Sequence, residues 1–177
     1  NLASYLNFLH EHFPDSYRSI RDTVQMVAPF FDDFSLHPVP ENPQTIRLEW
    51  RQSETDMFMD ANSLSDGTLR FMCLATLLLQ PHLPGVILLD EPELWLHPYA
   101  IGVLGGLLRS ASTRTQVIVA TQSVTLVNQF ELKDVVVVDR KGQESTFARP
   151  DAAALASWLE DYSSGELWEK NLLGGRP

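Results

Sequence analysis

The chain has 177 residues, 44% of them hydrophobic, and a formal net charge of −10. That length can bury one sizeable core, and the acidic surplus argues against nucleic-acid binding by this chain alone, which needs clustered Lys and Arg. The single Cys73 rules out a disulfide framework and fits a reducing cytoplasm, and no apolar run approaches the ~20 residues of a transmembrane helix, so a cytoplasmic chain without a membrane partner is expected.

Asn1 to Phe30 reads as two helices broken at Pro14. Leu2, Tyr5, Leu6 and Leu9 form the apolar face of the first, and Ile20, Val24, Val27 and Phe31 that of the second. His10-Glu11-His12 invites a metal reading, but positions two apart on a helix do not face each other and no third ligand is near; a solvated face is expected. Asp32 to Gln44 is rich in Pro and reads as loop. Thr45 to Trp50 alternates at period two and reads as a half-buried strand, paired in a hairpin with Asp56 to Asp60.

Leu64-Ser65-Asp66-Gly67-Thr68 precedes a strongly apolar helix from Leu69 to about Leu79. A helix amino terminus carries partial positive charge and free N–H groups. There Ser65 can offer a hydroxyl to a phosphate and Gly67 a close backbone approach; equally, Ser65 can be an ordinary N-cap and Gly67 a turn residue. Asp66 would repel a phosphate unless it points away or meets a base, for which Arg70 is nearest.

Val86-Ile-Leu-Leu-Asp90-Glu91 is an apolar run that stops at two carboxylates, as a buried parallel strand reads when its tip reaches a ligand crevice. Asp90 is then placed to hold Mg²⁺, directly or through water, and Glu91 to orient or deprotonate an attacking water. A helix starts at Pro98 and runs to about Arg109, with Gly102, Gly105 and Gly106 inside it. Val117 to Ser123 reads Val-Ile-Val-Ala-Thr-Gln-Ser, a strand ending in polar residues. Asp134 to Asp139 is a further buried strand, Gln143 to Ala148 returns as an edge strand, and helices follow over Ala152 to Glu160 and Glu166 to Leu173. Trp158 and Trp168 read as packing residues.

Taken together, these segments resemble the nucleotide-binding domain of ABC-type ATPases, in the branch that includes SMC, RecF and related (AAA-annotated, OLD-like) proteins. Leu64 to Thr68 resembles the signature motif with Asp66 and Thr68 as departures, Val86 to Glu91 resembles Walker B plus catalytic glutamate, Glu93 to Pro98 resembles the D-loop region, and Val117 to Ser123 resembles the strand and switch. Leu173 to Pro177 gives a looser match. The spacing agrees, with 25 residues from Ser65 to Asp90 and 32 from Asp90 to Gln122.

The resemblance implies an α/β fold: the C-terminal half of an ABC-type P-loop ATPase core, a largely parallel sheet flanked by helices, with a helical and β arm at its N-terminus. Residues 1–60 would be the arm or lid, 61–150 the core with signature, Walker B, D-loop and switch, and 151–177 C-terminal helices. It implies ATP and Mg²⁺ as ligands, Glu91 and Gln122 as catalytic residues, and Asp90 as the metal residue. Ser65, Gly67 and Thr68 would act in trans on nucleotide held by a second subunit of a homodimer, with His97 in the D-loop touching that partner or simply packed at the helix start. Gln122 stands where the family commonly has His; it can donate the same hydrogen bond but cannot carry charge.

No Gly-x-x-x-x-Gly-Lys-Ser/Thr motif is present, and Lys133, Lys141 and Lys170 complete none. The chain opens on Asn1 without a secretory or transit segment, so the economical expectation is a C-terminal half whose P-loop half lies elsewhere. The D-loop form favours DNA maintenance or phage defence, with DNA or a fused or partner effector as partners and the cargo left open. A transporter nucleotide-binding domain and a non-hydrolysing dimerisation module are the alternatives.

Overall fold

Helical spacing of apolar residues and well-placed caps start the chain. In helix α1 (Leu2–His12) the Asn1 side chain accepts from Ser4 N, and Ala3, Leu6 and Leu9 are buried. Helix α2 (Pro14–Val27) begins at Pro14, where the missing N–H costs nothing, and buries Tyr17, Ile20 and Val24. The computed structural model describes residues 1–40, 42–55 and 57–175; Glu41, Asp56, Arg176 and Pro177, touched by the loop, hairpin and C-terminal expectations, lie outside the described residues.

Phe31 corrects the helical reading. It opens strand β1 (Phe31–Ser35) and is fully buried there. Its spacing from Val27 imitates a helix, but Pro29 disfavours helical backbone at Ala28, whose N–H closes α2 on Val24 O. The Pro-rich stretch expected as loop also holds strands: β1, then β2 (Pro38–Val39) paired antiparallel with β3 (Asn42–Ile46). A two-stranded ribbon leaves outer edges on which Pro interrupts no ladder. The single strand expected over Thr45 to Trp50 is divided, because β4 (Glu49–Gln52) belongs to another sheet. There β4 lies antiparallel between β1 and β5 (Phe58–Asp60), with Phe34 opposite Trp50. The Tyr17 hydroxyl donates to Asp33 Oδ1 at 2.7 Å. Burial, followed by that carboxylate, raises its ionisation above the ordinary tyrosine range.

The chain divides into two compact units, Asn1–Leu88 with Leu94–Ile118, and Leu89–Glu93 with Val119–Pro177. The first unit holds the larger core. Helix α3 (Asp66–Leu79) contributes Phe71, Met72, Leu74, Ala75 and Leu78, and packs against α2 and α4 (Pro98–Ser112). From α4 come Ala100, Ile101, Leu104, Leu108 and Ala111. Past α4, Arg114 Nη2 donates to Leu78 O at 2.9 Å, a cation on the carboxyl end of α3. In the second unit α5 (Val124–Val127) packs on α7 (Ser164–Glu169), and Gly165 N donates to Asn128 Oδ1 at 2.7 Å. Leu126, Leu132 and Leu167 form its buried centre. The hairpin of β8 (Val137–Lys141) and β9 (Glu144–Ala148) and the short helix α6 (Ala156–Leu159) complete it.

Strands β6 (Val86–Asp90) and β7 (Gln116–Ala120) form their own pair. Gln116 N bonds Gly85 O at 3.3 Å where the pair begins, and Glu91 N bonds Ala120 O at 2.8 Å where it ends, so the strands run parallel. The α/β expectation holds, but the largely parallel sheet does not extend beyond this pair. The other three sheets among the described residues are antiparallel. Nor is β6 buried on both faces: Ile87 is covered, while Val86 is 48% and Leu88 71% exposed. With one bonded neighbour and one face covered, the remaining apolar side chains meet solvent. The strand expected over Asp134 to Asp139 begins later, at Val137, and its Val138 lies exposed opposite an exposed Phe147.

Gly67 shows how tightly the first unit is closed. It is buried, and a Cβ placed on it would collide with the Trp95 carbonyl oxygen and come within 3.1 Å of its carbonyl carbon. A Cβ on Gly102, inside α4, would meet nothing within 4 Å. Gly67→Ala should therefore destabilise the fold by about 1–3 kcal/mol, the usual cost of overpacking. Gly102→Ala should stabilise it by ~0.5–1 kcal/mol through helix propensity. Urea denaturation of the two variants beside the parent checks both; equal midpoints would contradict the packing described.

Candidate active site

The site residues of the second unit gather where β6 and β7 end. Pro92 takes the chain out of β6, and Glu91, just before it, has φ +40, a left-handed backbone unusual for a residue with a side chain. The bond from Glu91 N to Ala120 O at 2.8 Å fixes this turn against the end of β7. Gln122 Nε2 then donates to Glu91 Oε1 at 3.2 Å. Glu91 and Gln122, singled out 31 positions apart in the sequence, are thus directly bonded. Asp90 is exposed at the strand tip.

Two residues that lie inside the motif segments without a role assigned to them there are joined beside them. The Thr121 hydroxyl donates to Glu93 Oε1, and Thr121 Oγ1 accepts from Ser123 N at 2.9 Å. Glu93 is buried, 8% exposed, and its Oε2 has no hydrogen-bond partner among the described residues. The available signal was a second acid only two residues after Glu91, set among Pro92, Leu94 and Trp95 rather than polar neighbours.

The first unit holds the other candidates. Ser65 is the N-cap of α3, its Oγ accepting from Thr68 N at 3.1 Å and sharing a 2.8 Å hydrogen bond with the Thr68 hydroxyl. Ser65 is an exposed residue. The close approach permitted by Gly67 is to the Trp95 carbonyl, which joins the start of α3 to the segment before α4. Trp95 has φ +70 and is 78% exposed. His97 is the N-cap of α4, its Nδ1 accepting from Tyr99 N at 3.2 Å, which puts the neutral ring's proton on Nε2. His10 packs edge-on against Tyr17, and His12 Nδ1 meets Phe8 O at 3.1 Å.

Asp90 presents hard oxygen donors that suit Mg²⁺, which takes one or two carboxylates and fills its remaining positions with phosphate and water. No group of three or more His, Cys, Asp or Glu able to hold a metal occurs among the described residues, so a cage built from protein alone is not present there. No helix among them is long and apolar enough to cross a membrane.

No curated protein matches the sequence. Among solved structures, an SMC ATPase, from work on ATP-driven dimerisation and DNA-stimulated activation, aligns with a TM-score of 0.59 at 18% identity, over 88% of this chain and 96% of that one. The Smc head domain of Pyrococcus furiosus with an extended coiled coil, bound to the C-terminal domain of ScpA, gives 0.63 at 18% identity over 88% of this chain. An Smc head bound to the C-terminal winged-helix domain of ScpA gives 0.65 at 15% identity over 85%. The chain spans 39% and 47% of the length of these last two. These likenesses establish the fold expected from the four motifs, that of an SMC head ATPase domain. The family model described as "AAA domain, putative AbiEii toxin, Type IV TA system" matches residues 5–128, and the chain belongs to that AAA-domain family.

Proposed function

We propose that this chain is the part of an ABC-type ATPase that hydrolyses ATP, with Glu91 as the residue that orients or deprotonates the attacking water. The observation that carries the reading is the Gln122–Glu91 hydrogen bond at the end of the parallel strand pair, beside the exposed Asp90. Membership of an AAA-domain family is in keeping with nucleotide chemistry. In this reading Asp90 holds Mg²⁺, which when bound neutralises charge on the phosphates. The Gln122 amide has two hydrogens, one directed at Glu91 and a second available to a γ-phosphate oxygen. Gln122 thereby orients the base and senses the phosphate at once. Lacking a positive charge, it stabilises the transition state less than His would.

Ser65 and Thr68 face the γ-phosphate held by a second copy, and Gly67 supports them by seating the Trp95 segment. His97 lies at the same dimer surface. The phosphate-binding P-loop comes from a segment beyond this sequence. The uncovered β6–β7 face, with Ile118 50% exposed beside Val86 and Leu88, supports that reading, because such apolar faces are ordinarily covered. The cycle of closing and opening serves DNA maintenance or phage defence.

The chain alone should then bind MgATP very weakly and hydrolyse none. Isothermal titration checks this, and sub-micromolar affinity would refute the divided site. Replacing Ser65 in the complete ATPase (this chain with its P-loop segment) by Arg should abolish ATP-dependent dimerisation and hydrolysis together. Monomer nucleotide binding should survive; its loss with dimerisation intact would show that Ser65 does not act in trans.

Glu91→Gln keeps the shape and removes the basicity, so turnover should fall by about 10²–10⁴-fold. ATP should stay bound, and the closed dimer should persist on size-exclusion chromatography with MgATP, whereas Asp90→Asn should weaken nucleotide binding itself. Parental turnover in Glu91→Gln would remove the assignment.

A further inference from the structure

Glu93 is a buried acid that the reaction outlined above does not use. Burying a carboxylate is costly, the more so when one oxygen is left without a donor. Glu93 is 8% exposed, its Oε2 has no partner among the described residues, and its Oε1 accepts the Thr121 hydroxyl. What the arrangement does can be followed along the chain. Thr121 Oγ1 also accepts from Ser123 N at 2.9 Å, so one hydroxyl holds the backbone on both sides of Gln122. Gln122 itself is exposed, and its amide reaches Glu91 Oε1 at 3.2 Å. On the other strand, Glu91 is separated from Glu93 only by the buried Pro92. The two ends of Glu91-Pro92-Glu93 are therefore bonded to neighbouring residues of Thr121-Gln122-Ser123, Glu91 to Gln122 and Glu93 to Thr121.

We infer that Glu93 is a positioning residue for hydrolysis: through Thr121 it fixes the switch turn so that the Gln122 amide meets the Glu91 carboxylate in its working orientation. The inference rests on the proposed role of Glu91 and adds a residue to that site. The buried end of the pair of segments is held by the Glu93–Thr121 bond, while the exposed end carries the Gln122 amide. Without the Glu93 bond the Thr121 hydroxyl can rotate, Ser123 N loses its oriented acceptor, and Gln122 no longer has one position.

The test uses the complete ATPase with Glu93→Ala, Glu93→Gln, Gln122→Ala and the Glu93→Ala/Gln122→Ala pair. Glu93→Ala should lower kcat about 10²-fold, the scale of an ångström-sized misplacement of reacting groups, and leave KM for ATP unchanged. Glu93→Gln keeps a carbonyl oxygen for Thr121 and exchanges one unpartnered polar group for another, so it should restore kcat. If Glu93 acts through Gln122, the double variant should be no slower than the slower single variant. Amide hydrogen exchange over residues 121–127 should quicken in Glu93→Ala and stay parental in Glu93→Gln.

Where Glu93→Ala does not fold, Thr121→Val removes the same bond from its other side and should show the same loss of kcat. Parental kcat in Glu93→Ala or Thr121→Val, a Glu93→Gln as slow as Glu93→Ala, or full additivity with Gln122→Ala would each overturn the inference. Glu91→Gln measured alongside separates the two levels. If Glu91→Gln is slowed as expected while Thr121→Val turns over at the parental rate, only the positioning role fails. If Glu91→Gln turns over normally, the catalytic reading fails.

Discussion

The backbone hydrogen bond from Glu91 N to Ala120 O, 2.8 Å long, ties together the loops that would carry chemistry. It closes a parallel strand pair whose apolar run stops where the acids begin, so the side chains just beyond it leave at one level. Parallel neighbours cannot be joined by a tight turn; the chain between them must make a long crossover. Here that crossover is α4, capped by His97 and anchored past its end where Arg114 reaches Leu78 O. The left-handed backbone at Glu91 is a conformation that a free turn would shed, and the pairing with Ala120 holds it in place.

In the first unit a different economy operates. The start of α3 is fixed by its own cap, Ser65 to Thr68, and by the absence of a side chain at Gly67, which lets the Trp95 carbonyl lie against it. Trp95 itself is held at φ +70 with an exposed ring. Two segments separated by almost thirty residues thus share one contact and would move together.

How much of this could be read from the residues depended on whether the signal was local. Caps, the Pro at the start of α2 and α4, the apolar faces of α1 and α3, and the acids ending β6 are short-range patterns, and they correspond to what the structure contains. Phe31 was misread because its spacing from Val27 is helical while Pro29, between them, ends the helix. The faces of β6 were misread for a deeper reason. An apolar run reports that a strand is suited to cover on both sides, whereas exposure depends on which segments are there to provide it. Glu93 and Thr121 could not be paired from sequence, since nothing in a linear reading says that residues 28 positions apart share a proton.

The half-covered strand pair gives the acidic composition a colloidal meaning. Val86, Leu88 and Ile118 offer a neighbouring molecule an apolar face, the kind of surface on which chains stick. A net charge of −10 on a 177-residue chain opposes that encounter by mutual repulsion before any two faces can touch. The repulsion reaches only about 10 Å at 0.1 M salt and about 3 Å at 1 M, while the apolar attraction is not screened. Dispersal of this chain in solution is thus a property of its ionic surroundings as much as of its fold.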